Sequence, residues 1–157
     1  MADGSRHEVS GWGFPAGDEA SGGWIGLRAI GHVEKVLDGR AAPGPFADAV
    51  IAACGGHRDA IQVWLGQATQ TAYASLAPLA LQHAHDPAAS AILRAAGEEA
   101  AAIARALDPS GTLPLALCGG LGAALRDWLP AELSARARAP EGDAAAGALR
   151  MIQKDIQ

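Results

Sequence analysis

Apolar side chains recur at three- and four-residue steps through the first two thirds of the chain, which is the spacing of amphipathic helices. Asp86 is expected to cap the longest of them, because Pro87 suits a first helical position. The pattern predicts helices over residues 18–38, 46–54, 58–65 and 87–107, helical spacing over 69–76, and at Pro78 either a break or the first turn of a helix through residue 83.

The last third of the chain has a different pattern. The apolar run from Leu113 to Cys118 is short and bounded by turn residues, which predicts a buried strand followed by a glycine turn at 119–122. Beyond the turn the pattern predicts a helix over 123–128, an edge strand over 133–139 and a closing helix over 143–152. Alternating strands and helices in the last third, together with the helices predicted before them, predict a helix-rich α/β fold.

Length and composition are those of one folded domain, or of one half of a two-domain protein. Of the 157 residues, 50% are hydrophobic and 18% are charged, so there is enough apolar surface to form a core. The formal net charge of -5 at pH 7 offers no basic face, which argues against nucleic acid as a partner.

Three features bear on where the protein works and whether it is whole. The sequence shows neither a secretory signal nor an apolar run near 18 residues, so we expect a cytoplasmic protein with no membrane partner. Cys54 and Cys118 cannot form a disulfide framework, and both are expected to be reduced and buried. Asp3-Gly4 predicts a hairpin turn whose first strand is missing, so the N-terminus is expected to cut through a larger fold.

The glycine-rich segment from Gly11 to Gly22 is the first candidate site. It places Trp12 and the pair Asp18-Glu19 just before a helix, where exposed amides and carboxylates converge. Such an arrangement suits a polyhydroxyl ligand. The same residues suit an ordinary tight loop equally well, with Asp18 as the helix cap.

The glycine turn after the predicted strand is the second candidate site, since ligands of α/β sheets lie at the carboxyl ends of strands. The spacing Gly119-Gly120-Leu121-Gly122 matches neither G-x-G-x-x-G nor a Walker A loop, so an ordinary strand-to-helix turn stays an open alternative. The five histidines form no H-x-x-x-H or H-E-x-x-H pair, and no G-x-S-x-G elbow occurs. Neither a metal site nor a hydrolytic nucleophile is predicted.

Several short blocks occur together in one order along this chain. They are Gly11-Trp12-Gly13, Gly17-Asp18-Glu19-Ala20-Ser21-Gly22, Trp24-Ile25-Gly26, Leu76-Ala77-Pro78-Leu79, Leu117-Cys118-Gly119-Gly120, and Glu141-Gly142-Asp143-Ala144 followed by Gly147-Ala148. In this order the blocks resemble the BadF/BadG/BcrA/BcrD ATPase family, in its N-acetylglucosamine and glucosamine kinase branch. The resemblance covers nearly the whole chain, but only the C-terminal half of such a kinase.

The resemblance implies a ribonuclease-H-like α/β fold of the actin-like ATPase superfamily. Residues 1–157 would form the helix-rich C-terminal lobe of a two-lobed sugar kinase, incomplete at its N-terminus. Such a kinase uses ATP and magnesium to phosphorylate the 6-hydroxyl of an amino sugar. The family keeps its catalytic base, magnesium-linked carboxylate and phosphate loops in segments that this chain lacks, so no catalytic residue or metal ligand is assigned, and negligible activity is expected of the chain alone.

The resemblance also assigns binding residues and partners. The substrate-binding residues would be Gly11, Trp12, Gly13, Asp18 and Gly22, and the adenosine-binding residues would be Gly119, Gly120 and Ala123. Ala20 departs from the family, which usually has glycine there, and a positive φ at this position would be strained. The expected partners are an amino sugar and an N-terminal lobe, with self-association as another outcome of an uncovered face.

Two other functions stay open at this stage. One is a non-catalytic sugar-sensing or interaction module that retains the fold. The other is the activator ATPase of acyl-CoA dehydratases, from the same broad family, in which cysteines hold an iron-sulfur cluster between two subunits. Cys54 on a predicted helix and Cys118 in a predicted buried strand fit that role poorly.

Overall fold

The computed structural model describes residues 7–155, and the turn predicted at Asp3-Gly4 lies outside this range. The helices are α1 (Gly22–Leu37), α2 (Pro45–Ala53), α3 (Arg58–Gln67), α4 (Gln70–Ala74), α5 (Ala77–Gln82), α6 (Pro87–Leu107), α7 (Gly122–Leu125), α8 (Ala131–Arg136) and α9 (Ala144–Asp155), with a 3-10 helix at Arg126–Trp128. The strands are β1 (Leu115–Ala116) and β2 (Ala137–Arg138), which pair in parallel with Leu115 opposite Ala137. The predicted helices are confirmed, apart from the start of α1.

Local capping chemistry explains where the helices begin. Asp86 caps α6 as predicted, since one carboxylate oxygen accepts the Ala88 N–H at 2.8 Å. Its other oxygen accepts the Phe46 N–H at 3.3 Å, which ties the start of α6 to the start of α2. Helix α1 begins at Gly22 rather than near Asp18, because the left-handed backbone of Ala20, with φ of +62°, cannot belong to a helix.

Helix α1 lies at the centre of the larger of two hydrophobic clusters and packs against α2, α4, α5 and α6. Its side chains Ile25, Ile30 and Val33 are fully or almost fully buried, and Phe46 of α2 is completely buried against them. Gly26 allows α1 to approach α4 closely, because a Cβ there would lie 1.8 Å from the Tyr73 carbonyl oxygen. This cluster forms a rigid base on which the first candidate site stands.

The smaller cluster lies at the C-terminal half of α6. It consists of Ala101 and Ala104 on α6, with Leu129 and Leu133 packed on them. Gly97 permits this contact, since a Cβ there would lie 2.0 Å from the Trp128 carbonyl oxygen. Helix α6 therefore joins the helical region to the strand-containing region.

Two sequence-based expectations for the last third are wrong. The run 113–118 forms only the two-residue strand β1, and Ala116 and Cys118 are exposed, because β2 is the single strand paired with it in the described part of the chain. Residues 133–136 are helical rather than extended. Pro130 starts α8, its carbonyl accepts the Leu133 and Ser134 N–H groups at 3.0 Å, and Leu133 is buried in the smaller cluster.

Candidate functional site

The loop before α1 is held in an unusual backbone shape. Ser10, Gly11 and Gly13 all have positive φ, at +66°, +73° and +101°. Gly13 and Gly17 exchange two backbone hydrogen bonds, of 3.2 and 2.8 Å, and close a tight turn between them. Trp12 is 89% exposed at the tip of this loop. The loop therefore presents backbone and an uncovered aromatic ring to solvent.

An aromatic contact anchors this loop to the core. The Phe14 ring lies 5.3 Å from the Tyr73 ring, which in turn meets the Trp64 ring edge-on at 5.1 Å. Gly17 completes the fit, because a Cβ there would lie 2.4 Å from the Cβ of Trp12. The exposed tip thus sits on a fixed support.

The Asp18 carboxylate is held beside the start of α1 without capping it. Its Oδ2 accepts the Ser21 hydroxyl at 2.5 Å and the Gln70 side-chain amide at 2.9 Å. Ser21 is the actual N-cap and accepts the Trp24 N–H at 3.0 Å. The interpretation of Asp18 as the helix cap is therefore wrong. Within the described residues, Oδ1 of Asp18 accepts no hydrogen bond.

Glu19 connects the loop to the helix start. Its Oε2 accepts the Ser10 hydroxyl, and this hydrogen bond lowers the pKa of the Glu19 carboxyl. Glu19 is consequently an anion at neutral pH. Because Ser10 directly precedes Gly11, the bond fixes the glycine-rich loop relative to α1.

The turn after β1 exposes its main chain. Gly119 has a φ of +86°, and a Cβ added at Gly119 or at Gly120 would meet nothing within 4 Å. Gly122 differs, because a Cβ there would lie 2.6 Å from the Leu117 carbonyl oxygen. The Gly122 N–H donates to the Gly119 carbonyl at 3.1 Å and closes the turn. Two bare peptide units thus face open space at the end of a strand.

The two candidate sites share a cavity of about 600 Å³. One wall is formed by residues 19–22 and the other by residues 117–122, while Ala77 and Pro78 of α5 lie between them. Gly22 thereby lines the same cavity as Gly119 and Gly120, which are distant in the sequence.

A larger cavity, of about 1040 Å³, lies on the other side of the same turn. Gly119 and Ala123 line it, whereas Gly120 lines only the smaller cavity. The opposite wall contains residues 137–140, Gly142, Asp143, Ala144 and Gly147, and Arg126 also lines the cavity. Gly119 lines both cavities, so the glycine turn stands between them.

The sequence reasoning missed part of this lining. Arg126 and Arg138 were assigned no role, although both line the larger cavity. The signal for the opposite wall was present in the block Glu141-Gly142-Asp143-Ala144, which carried the resemblance but received no role. Nothing in the spacing of the arginines distinguishes them from other surface cations.

Four of the expected substrate-binding residues line neither cavity. Gly11, Trp12 and Gly13 lie in the preceding loop, and Asp18 accepts a hydrogen bond from Ser21, which lines the smaller cavity. They are linked to the smaller cavity only through the hydrogen bonds of Glu19 and Ser21. Gly22 is the one expected sugar contact that lines it directly.

Two negative findings concern residues 7–155 alone. No three histidine, cysteine, aspartate or glutamate side chains in this range are close enough together to hold a metal ion. None of the helices found there combines the length and the apolar character that crossing a membrane requires.

The two cysteines differ in their surroundings. Cys54 is buried, and this burial raises the pKa of its thiol, whereas Cys118 is exposed, contrary to expectation.

Comparison with solved structures identifies the fold. The crystal structure of an inferred N-acetylglucosamine kinase from Chromobacterium violaceum matches with a TM-score of 0.92 and 54% sequence identity, over 96% of this chain and 53% of that protein. The helix-rich α/β architecture is thus that of an actin-like ATPase, as expected from the sequence. Glucosamine kinase GspK from Vibrio cholerae serotype O1 is 29% identical over 156 residues, which are 98% of this chain and 53% of that kinase.

The family assignment follows from a match over most of the chain. The model of the BadF/BadG/BcrA/BcrD ATPase family matches residues 1–149. This chain belongs to the BadF/BadG/BcrA/BcrD ATPase family. It spans about half the length of the relatives that it matches.

Proposed function

We propose that residues 1–157 form the C-terminal lobe of a two-lobed, ATP-dependent amino-sugar kinase. The lobe contributes one side of a cleft for glucosamine or N-acetylglucosamine and one side of a nucleotide site. The observation that carries this proposal is the cavity that residues 19–22 share with the turn at 117–122. The kinase names of both relatives support the substrate class.

The sugar side is assigned to the loop and the start of α1. A sugar offers hydroxyl donors and acceptors, which suit the exposed backbone at Gly11 and Gly13 and Oδ1 of Asp18, an oxygen that accepts no hydrogen bond from the described residues. Trp12 offers an exposed aromatic face to the apolar side of a sugar ring. Gly22 lines the cavity where the rest of the ligand would lie.

The nucleotide side is assigned to the glycine turn and the larger cavity. The bare peptide units at Gly119 and Gly120 allow a flat or phosphorylated group to approach the main chain. Most of the residues lining the larger cavity are alanine, glycine or proline, with few charges among them, a composition that suits a nucleoside. Ala123 also lines that cavity, and this position supports assigning it to the nucleotide side.

The reaction proposed for the complete kinase is transfer of the γ-phosphoryl group of ATP to the sugar 6-hydroxyl. The bond between that oxygen and phosphorus forms, the bond from phosphorus to the bridging oxygen breaks, and the hydroxyl proton passes to a base. None of the described residues is assigned as that base. The family resemblance assigns the base and the magnesium-linked carboxylate to the other lobe, so this chain by itself is expected to have negligible kinase activity.

Calorimetric titration with N-acetylglucosamine and with glucosamine tests the sugar side. We expect Asp18→Ala to weaken binding about tenfold or more, since a hydrogen bond to a charged group contributes about 1.5–3 kcal/mol. Asp48→Ala, which removes an exposed carboxylate from α2, is the matched control and should bind as the wild type does. Unchanged affinity in a folded Asp18→Ala variant would mean that Asp18 does not contact the sugar and only positions Ser21 and Gln70.

Co-expression with a matching N-terminal lobe tests the kinase assignment. A coupled assay of ADP release should detect turnover with an amino sugar only when both lobes are present. Sugar binding without ADP release from the reconstituted pair would instead favour the sugar-sensing module. Comparing glucosamine with its acetylated form in the same assay identifies the preferred substrate.

A further inference from the structure

The Asp18 carboxylate is held by a side chain that lies far from it in the sequence. Gln70, the first residue of α4, donates its side-chain amide to Oδ2 of Asp18 at 2.9 Å, across 52 positions of the chain. Gly23 makes room for this contact, since a Cβ there would lie 3.0 Å from Oδ2 of Asp18 and 3.3 Å from Cγ of Gln70. The start of α1 therefore lacks a side chain where these two groups meet.

The hydrogen bonds that Asp18 accepts on its side chain all fall on one oxygen. Oδ2 accepts the Ser21 hydroxyl and the Gln70 amide, whereas Oδ1 accepts no hydrogen bond from the described residues. None of the ion pairs within residues 7–155 includes Asp18, so two neutral donors hold this carboxylate. The last side-chain bond of aspartate rotates through a broad, roughly two-fold range, so one donor alone lets the two oxygens exchange places. A second donor, from α4, fixes which oxygen is used.

Helix α4 is itself fixed against the core. Its buried residue Tyr73 packs on the Phe14 ring of the loop before α1 at 5.3 Å and on the Trp64 ring at 5.1 Å. Gln70 precedes Tyr73 by three residues, so the two side chains are neighbours on the helix surface. One short helix therefore supports the glycine-rich loop through Tyr73 and the Asp18 carboxylate through Gln70.

We propose that Gln70 is a positioning residue for the amino sugar. By holding Oδ2, its amide keeps Oδ1 of Asp18 turned toward the sugar hydroxyl that this oxygen accepts. Ala74 of the same helix lines the smaller cavity, so α4 also borders the space assigned to the rest of the ligand. This inference rests on the proposed function, because it takes Asp18 as a sugar contact. It adds a residue that acts on the sugar only through Asp18.

Calorimetric titration with N-acetylglucosamine on a double-variant cycle tests this indirect action. Gln70→Leu should weaken binding about three- to tenfold, the range that a typical net hydrogen bond accounts for. In the Asp18→Ala background the same change should have no further effect, because the route from Gln70 to the sugar is gone. Gln67→Leu, which removes an exposed glutamine at the end of α3, is the matched control and should bind as the wild type does. Circular dichroism checks that every variant is folded.

The pH dependence of Gln70→Glu is the second measurement. This variant keeps the length of the side chain but replaces the amide donor by a carboxylate next to that of Asp18. Adjacent carboxylates favour uptake of one shared proton, and that proton restores an O–H donor between them. Relative to the wild type, the affinity of Gln70→Glu for the sugar should therefore be lowest at about pH 8 and recover at about pH 5, while that of Gln70→Leu stays constant. The neighbouring Glu19 stays an anion in this range, because the Ser10 hydroxyl lowers the pKa of its carboxyl.

Three results would overturn the proposal. Equal affinity of Gln70→Leu and the wild type would show that Asp18 does not need the amide. An equal loss in the wild-type and Asp18→Ala backgrounds would make Gln70 a direct sugar contact instead. A loss in Gln70→Glu that is the same at both pH values would assign the effect to packing of the side chain. If Asp18→Ala binds too weakly to measure, the pH profile alone decides.

The same titrations separate this inference from the proposed function. If Asp18→Ala weakens sugar binding but neither Gln70 variant does, the sugar side of the function stands and Gln70 is not a positioning residue. If the wild-type chain binds no amino sugar, either alone or with a matching N-terminal lobe, both proposals fail.

Discussion

The two hydrophobic clusters differ in size and in what they support. The larger one buries side chains from seven helices, α1 to α7, and includes Phe46, Ile25 and Leu93, which are completely buried. The smaller one has four buried members, two of which are alanines on α6. The loop before α1 stands on the larger cluster through Phe14, and the glycine turn reaches the same cluster through Leu121, whereas Leu115 and Leu117 before that turn pack on the smaller cluster. The strand-containing side of the candidate site is therefore supported by fewer buried side chains than the loop before α1.

This difference shows how the two sides of the proposed cleft are held. The proposed sugar side is fixed by aromatic packing and by hydrogen bonds through Asp18 and Glu19. The proposed nucleotide side is bounded by two-residue strands and by α9, whose side chains Leu149 and Ile152 are exposed. Local stability follows the density of buried contacts, so the second region is expected to open first.

The largest effect is expected from Phe46→Ala in the larger cluster. Removing a fully buried ring should lower the free energy of unfolding by about 3–5 kcal/mol, through lost burial and the cavity left behind. Urea denaturation measures the change. Val63→Ala, at an exposed position, should stay within about 0.5 kcal/mol of the wild type.

A smaller effect is expected from Leu133→Ala, which should cost about 2–3 kcal/mol. If the two clusters open separately, amide hydrogen exchange in this variant should quicken after residue 108 and stay slow in α1 and α2. Faster exchange throughout the chain would show that both clusters unfold as one unit. The two regions would then not differ in local stability.

Ala20→Gly should stabilise the protein by up to about 1 kcal/mol, because Ala20 has a φ of +62° that glycine adopts without strain. Ala91→Gly in α6 is the opposite control. Ala91 is exposed in a helix interior, where glycine costs about 1 kcal/mol. If both variants changed the free energy of unfolding in the same direction in urea denaturation, the inferred strain at Ala20 would be contradicted.

The smallest effect concerns the pH dependence of the second region. The Ser110 hydroxyl, the Leu113 N–H and Arg136 lower the pKa of the Asp108 carboxyl. Since the folded pKa is depressed, the stabilisation is present above the ordinary value and is lost as pH falls through the folded value. The difference in unfolding free energy between wild type and Asp108→Asn should shrink between about pH 5 and pH 2. A difference that stays constant with pH would assign the effect to packing.

Much of the helical region could be predicted from the sequence because its signals are local. Asp86 and Pro87 start α6 through a cap and a fixed φ, and the apolar spacing of α1 needs only the helix period. The blocks that carried the family resemblance are also properties of the sequence. They indicate the glycine turn and the residues around Asp18 without any information on contacts.

The tertiary structure decided what depends on distant neighbours. Whether Cys118 is buried depends on how many strands and layers surround β1, and the apolar run could not reveal that. Leu133 alternates with polar residues as a strand would, yet packing on α6 makes its segment helical. The shared cavity exists only because the fold brings the segments that contain Gly22 and Gly119 to the same cavity, and no local pattern records the relation between segments so far apart.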